Sequence, residues 1–361
     1  MEKVGIVLGT RPEIIKMSPV IRELERSNLE YEVIHTGQHY DEEVSGIFFE
    51  ELEIERPDEN LEVGSGSQAE QTGEAMIELE RAFQRSDIGT VLVQGDTNTV
   101  LAGALAGIKM GLTVGHVEAG LRSYDYRMPE EYNRRLADHS SSLLFAPTEK
   151  NREILENEDV WGEIFVTGNT VIDACLENMK IAEREGELNF SVPEEFVLVT
   201  AHRAENVDDP KVLKNYYEVF KELELPVVYP IHPRAEKRFE DHGFLDEMER
   251  DEGIVLVPPQ GYLEFLLLMK GCELILTDSG GIQEEATASN ICKKVFVLRE
   301  STERPEAVEA GYCTLVGTEK EEILSAVENF DEEEWEPEES PYGDGKAGER
   351  IVNVLEAGSR F

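Results

Sequence analysis

Apolar and polar positions alternate in two registers along the chain. Short runs of β-branched and aliphatic residues at 4–8, 31–35, 90–94, 113–117, 142–145 and 164–167 read as strands. The segments between them space apolar residues three and four apart, as helices do. Pro12 opens a helix at its first turn. An amphipathic helix is predicted over 68–83, a small-residue helix over 97–109, and further helices over 130–141 and 149–155. The pattern then restarts: a linker helix in GNTVIDACLENMK leads to strands at 196–200, 227–231, 254–257, 274–277 and 295–298, with helices between them. Apolar strands alternating with helices imply parallel sheets covered on both faces. The expected fold is therefore α/β, with two doubly wound domains and a cleft between them. The first domain is expected at 1–168, with a C-terminal helix at about 346–361 packing back onto it, and the second at 169–345, hinged near Gly168. In such sheets ligands bind beyond the carboxyl ends of the strands, so the strand-end turns are where chemistry is expected.

Composition narrows the choice. Apolar residues make up 40% of the 361, enough for real cores and against intrinsic disorder. No apolar stretch approaches the ~20 residues of a membrane span. The start MEKVGIVLGTRPEIIK lacks the apolar region of a signal peptide, so the cytoplasm is the expected location. Thirty-four basic side chains face 77 acidic ones, a formal charge of −43. This argues against nucleic-acid partners and against anionic membrane surfaces. The acidic runs, such as DEEVSGIFFEELEIERPDEN and FDEEEWEPEES, are spread along the chain, which favours adaptation to high cytoplasmic salt over an ordinary solvated surface. Cys175, Cys272, Cys292 and Cys313 have no CxxC spacing and sit near apolar neighbours, so buried free thiols are expected. Neither they nor the seven histidines show metal-ligand spacing, and no structural metal is expected.

Charged residues gather where strands end. GTRPEIIK follows the first strand, placing Arg11 and Lys16 at or one turn inside a helix N-terminus, where they favour an anion. VLVQGDTNTV delivers Asp96 to the end of the 90–94 strand; a helix N-cap is the ordinary use of such a residue. GHVEAGLRS delivers Glu118 to the end of the next strand, and MPEEYNRR brings Glu130 and Glu131 to a helix start with Arg134 and Arg135 behind. Three convergent carboxylate sites point beyond capping, because clustered carboxylates make both acid and base forms available. LVTAHRAENVDD sets His202 and Arg203 just past a strand, suited to anion contact or proton transfer, and His232 repeats the arrangement one strand later. LILTDSGGIQEEA is the strongest local signal. Ser279, Gly280 and Gly281 turn a buried strand into a helix, where bare backbone can approach a diphosphate. Glu285 lies one turn further, suited as an acceptor to ribose hydroxyls, and Arg304 is a second phosphate contact. The spacing is not GxGxxG, so the dinucleotide fingerprint is not met.

Together GTRPEIIK, VQGDTNT, GHVEAGLRS, PEEYNR, TGNTVID, TAHRAEN, LTDSGGIQEE and TERPE resemble the non-hydrolysing UDP-N-acetylglucosamine 2-epimerases, in the family's order from residue 5 to about 310. The resemblance implies a glycosyltransferase-B-like pair of Rossmann-like domains, a homodimer, and interconversion of UDP-GlcNAc and UDP-ManNAc, without NAD or an essential metal. It implies substrate contacts at Arg11, Lys16, Gln260, Phe265, Ser279, Gly280, Gly281, Glu285 and Arg304, and catalytic roles for Asp96, Glu118, Glu130 and His202. Cell-surface glycans are the family's usual destination. TGQHYDEEV departs from the bacterial members, with Tyr40 and Asp41 where they carry basic and amide residues. Other readings are a relative acting on a modified sugar such as UDP-2,3-diacetamido-glucuronate, a hydrolysing epimerase, a glycosyltransferase of the same fold, or a non-catalytic sugar-nucleotide sensor.

Overall fold

The computed structural model describes residues 3–37 and 42–358. Tyr40 and Asp41 lie outside the described residues. The chain divides into two compact units, Met1–Ala174 with Tyr342–Phe361, and Cys175–Pro341. The division falls within one helix, α7 below.

In the first unit, β1 (Lys3–Leu8), α1 (Arg11–Arg26), β2 (Tyr31–His35), α2 (Glu42–Glu51), β3 (Glu59–Asn60), α3 (Gln68–Arg85), β4 (Ile88–Gln94) and α4 (Asn98–Lys109) are followed by β5 (Thr113–Val117), α5 (Pro129–Ser140), β6 (Leu143–Ala146), α6 (Glu149–Asn157), β7 (Glu163–Val166) and α7 (Thr170–Glu185). The sheet is wholly parallel, in the order β3-β2-β1-β4-β5-β6-β7. The strand order reverses between β1 and β4, so this is the switch point at which open α/β sheets bind ligands. Val7, Ile34, Val91, Val93 and Val114 face Val100, Ala104 and Leu79 in a core excluded from water. The helix starts follow their local chemistry. Thr10 and Glu13 form a capping box on α1, and Thr97 caps α4 through the Val100 amide.

In the second unit, β8 (Val197–Thr200), α8 (Ala204–Val207), α9 (Pro210–Glu222), β9 (Val227–Pro230), α10 (Pro233–Asp241), α11 (Leu245–Met248), β10 (Ile254–Val257) and α12 (Tyr262–Gly271) precede β11 (Leu274–Thr277), α13 (Gly280–Glu285), β12 (Lys294–Val297), α14 (Pro305–Glu309), β13 (Cys313–Leu315) and α15 (Lys320–Glu328). The parallel order β10-β9-β8-β11-β12-β13 has its switch point between β8 and β11. Its core stacks Tyr216 on Phe220, with Tyr229, Leu276 and Phe296 buried beside them. After it the chain returns to the first unit as α16 (Ala347–Ala357), where Gly348 lies so close to Pro19 of α1 that a Cβ would meet its backbone at 3.1 Å.

One expectation fails here. Cys175, Cys272 and Cys313 are buried free thiols, but Cys292 is exposed in a left-handed turn after α13 (φ +46°). Its flanking apolar residues belong to the core, while the turn aims Cys292 itself outward. Among the described residues no helix is long and apolar enough to cross a membrane.

Candidate functional site

The first unit gathers its charges around the β1–β4–β5 strand ends. Gly9 follows β1 and is required for close approach, because a Cβ there would collide with the hydroxyls of Thr36 and Thr99. Arg11, the first residue of α1, is exposed and lies 4.3 Å over the buried ring of Phe48. One turn into α1, the Lys16 ammonium meets both carboxylate oxygens of Glu118 at 2.7 and 2.8 Å, and Gln94 donates to the same carboxylate. Glu118 is buried and holds a left-handed backbone (φ +70°), a conformation costing a non-glycine residue roughly 1–3 kcal/mol. Strain of this kind is held by surrounding contacts, which Lys16 and Gln94 supply.

Asp96 follows β4 by two residues. It is not the N-cap of α4, a role that falls to Thr97. Its carboxylate pairs with Arg134, its carbonyl accepts from Asn133 Nδ2 at 2.9 Å, and Arg134 also reaches Glu131 at 2.8 Å. Glu131 is fully buried and accepts from the Ser123 amide and hydroxyl, both at 2.9 Å. Burial opposes its ionisation, but the Ser123, Arg135 and Arg134 contacts outweigh burial and hold its carboxyl below the usual range. Glu130 is half-buried in the first turn of α5 and forms no side-chain hydrogen bond or ion pair among the described residues.

The second unit presents a parallel arrangement. Asp278, after β11, is fully buried and accepts from the His202 amide (3.0 Å), the Arg203 amide (2.9 Å) and Asn206 Nδ2 (3.1 Å). It thereby shapes the loop after β8, and its carboxylate lies 3.3 Å from Nδ1 of the part-exposed His202. The His232 ring lies 5.6 Å from that of His202; burial, then the nearby His202, lowers its basicity. The Ser279 amide donates to the Thr277 hydroxyl at 2.9 Å, and a Cβ at Gly280 would meet no other residue within 4 Å, so the turn presents bare backbone. Gln283 braces the turn, donating to the Ser279 carbonyl (3.1 Å) and accepting from Thr302 (2.6 Å). Arg304 pairs with the buried Glu284; Glu285, one residue on, is half-buried. Gln260 and Phe265 lie before and within α12, both half-buried, with Gln260 donating to the Pro258 carbonyl at 2.6 Å.

Four functional-looking residues escaped the sequence reading. Glu13 accepts from the Gly9 and Thr10 amides and from Thr97, tying the β1 turn to the β4 turn. Burial pushes its carboxyl up to about 7; these hydrogen bonds offset part of the rise and neighbouring Asp96 adds to it. The others are Asp278, His116 and Asp138. Only Glu13 had a local signal, the T-x-x-E spacing of a capping box.

These two switch points, one ringed by paired carboxylates and cations and the other by a glycine turn and a histidine, put the chain in the doubly wound, nucleotide-binding class of α/β proteins. Comparison with known proteins narrows the class. The family model described as UDP-N-acetylglucosamine 2-epimerase matches residues 22–356. The UDP-N-acetylglucosamine 2-epimerase of Methanocaldococcus jannaschii is 48% identical over 99% of both chains. A crystal structure of that organism's UDP-GlcNAc 2-epimerase in complex with UDP-GlcNAc and UDP superimposes with a TM-score of 0.86, covering 99% of this chain and 100% of the other. The UDP-2,3-diacetamido-2,3-dideoxy-D-glucuronate 2-epimerase of Pseudomonas aeruginosa is 37% identical over 98% of this chain and 99% of its own. The chain belongs to the UDP-N-acetylglucosamine 2-epimerase family.

Proposed function

We propose that this protein interconverts UDP-N-acetylglucosamine and UDP-N-acetylmannosamine. The observation that carries the proposal is the pair of carboxylates on adjacent strand ends, each held by a cation: Asp96 by Arg134 and Glu118 by Lys16. The C2 proton of an N-acetylhexosamine has no adjacent carbonyl, so its direct removal is very hard. Loss of UDP makes it feasible: the C2–H electron pair forms the C1–C2 double bond of a 2-acetamidoglucal as the C1–O bond breaks and UDP departs. Protonation at the opposite face of C2 and return of UDP to C1 give the epimer.

Asp96 and Glu118 exchange the C2 proton in this scheme, and Glu130 assists. His202 and Arg11 stabilise the departing diphosphate, with bare backbone at Ser279, Gly280 and Gly281 and the cations Lys16 and Arg304 contributing. Glu285 accepts from the ribose hydroxyls, and Gln260 and Phe265 flank the nucleotide. The higher identity to the UDP-GlcNAc enzyme, 48% against 37%, supports UDP-GlcNAc over the diacetamido-glucuronate sugar.

The proposal extends to setting. Free thiols fit a reducing cytoplasm, and the acidic surface fits high salt. Exposed Tyr132 and Leu136 on α5, with Tyr124, Tyr126 and Trp161 also exposed in the same unit, support a homodimer formed through this face. Product use in cell-surface polysaccharide synthesis follows the family. Purified protein in high salt and heavy water, given UDP-GlcNAc, is expected to yield UDP-ManNAc with deuterium at C2 by NMR. Epimerisation without solvent exchange overturns the mechanism, and turnover only of the diacetamido-glucuronate substrate overturns the sugar.

A further inference from the structure

His116, on β5, is fully buried two residues before Glu118 and has no part in the proposed reaction. Its Nδ1 lies 2.7 Å from Asp138 Oδ1 and its Nε2 lies 2.8 Å from the Gly95 carbonyl. Gly95 is the residue before Asp96. Asp138, on α5, is also fully buried; its other oxygen pairs with Arg122 Nη2 at 2.7 Å and faces the Gly120 amide at 3.4 Å. Gly120 lies two residues after Glu118 and requires glycine, since its φ is +85° and a Cβ would strike the Asn151 carbonyl.

Both partners of the imidazole are acceptors. A carbonyl cannot donate, and Asp138 stays ionised because His116 and Arg122 outweigh the burial that opposes its charge. The ring bridges Asp138 and the Gly95 carbonyl, and Arg122, on the other Asp138 oxygen, pairs in turn with Glu158 at 2.7 Å.

We propose that His116 is a positioning residue: with Asp138 it clamps the Gly95 carbonyl and the Gly120 amide, fixing the two turns that carry Asp96 and Glu118. The inference rests on the epimerase reading of those carboxylates. The clamp joins three elements, β4, β5 and α5, alongside the Asp96–Arg134, Asn133–Asp96 and Gln94–Glu118 contacts.

Two variants divide the clamp. Asn in place of His116 reaches Asp138 but falls short of Gly95; Gln reaches Gly95 and loses Asp138. His116→Asn is expected to lower kcat by about 10–100-fold, the scale on which ~1 Å misplacement of reacting groups slows a reaction, with KM for UDP-GlcNAc changed by less than about 3-fold, and His116→Gln to recover part of kcat. A crystal structure of His116→Asn is expected to show the turns at Gly95 and Gly120 displaced from their wild-type positions. A folded His116→Asn enzyme with wild-type kcat overturns the proposal while leaving the epimerase reading intact; a wild-type protein without epimerase activity removes that reading instead. Should His116→Asn fail to fold, His116→Gln decides, and wild-type kcat in that folded variant overturns the clamp.

Discussion

Lys16 and Glu118 bind each other through both carboxylate oxygens, at 2.7 and 2.8 Å, across 102 residues of sequence. The pair locks the first helix of the first unit onto the end of β5, with both side chains largely withdrawn from water. A strained residue at a strand end is held in place by a cation from a different element. That relationship makes the two residues one unit in energetic terms. Lys16→Met is expected to cost about 3 kcal/mol, the scale for breaking a buried pair. Adding Glu118→Gln should restore part of it, because the uncompensated charge is then gone. Urea unfolding at fixed high salt measures the coupling. Strict additivity of the two changes would show that the pair is not a structural link.

Glu13 gives the first unit a distinctive pH response. Its carboxyl stands at about 7 in the fold against an ordinary 4.5. Between those values the fold keeps a proton that the unfolded chain has lost, so this contribution is complete below 4.5 and is lost as pH rises to 7. Glu13→Gln keeps an acceptor for the Gly9 and Thr10 amides and cannot ionise. The variant should gain stability relative to wild type as pH rises from 5 to 8. Chemical denaturation at three pH values, taken as the difference between the two proteins, isolates this group from the general repulsion of an acidic chain. A difference that stays flat across that range would place Glu13 at an ordinary carboxylate value.

The strands at 31–35, 113–117, 254–257 and 274–277 were legible to the residue, because each is an apolar run stopped by a polar or glycine turn. Glu59–Asn60 and Cys313–Leu315 were not, since two or three residues, polar or mixed, carry no period. The strand-end turns were legible for the same reason that the strands were: they begin where the apolar run ends. The interactions that fix those turns were not. His116 finds Asp138 at a separation of 22 residues and Asp278 finds the His202 amide at 76, distances over which no spacing rule operates. Glu131 was the instructive intermediate. Arg134 and Arg135 stand three and four residues beyond it, so helical phase gives it two cations where Glu130 has one, and both pair with it.

Asp278 is the corresponding anchor of the second unit. It accepts from two backbone amides and one side-chain amide, so Asp278→Ala leaves three buried or half-buried donors without their partner. Each unsatisfied buried donor costs about 1–3 kcal/mol, and the loop bearing His202 should lose its shape. Asp278→Asn, nearly the same size, retains one acceptor oxygen and should fall between. The expected order of kcat/KM is wild type, Asn, then Ala, with Ala reduced at least about 30-fold. Equal activity of the Ala variant and wild type would show that the loop after β8 is set without Asp278.

The charge of −43 should make stability depend on salt in a way that identifies its cause. The exposed run Asp331 to Glu334 shows the local form of the problem: four carboxylates in sequence with no cation among them. Surface ion pairs such as Arg26–Glu23 and Arg81–Glu78 are weakened by salt, but they are few against the acidic excess, so relief of repulsion should dominate. Screening acts over a Debye length of ~10 Å at 0.1 M and ~3 Å at 1 M. If repulsion is the cause, Tm should climb steeply up to about 1 M and then level off, alike for potassium and sodium chloride. If exclusion of salt from the surface is the cause, Tm should keep rising above 1 M and sulfate should exceed chloride. Thermal unfolding across the two chlorides and sulfate separates the two. A Tm that does not move between 0.1 and 1 M would mean that the acidic surface is already balanced within the fold.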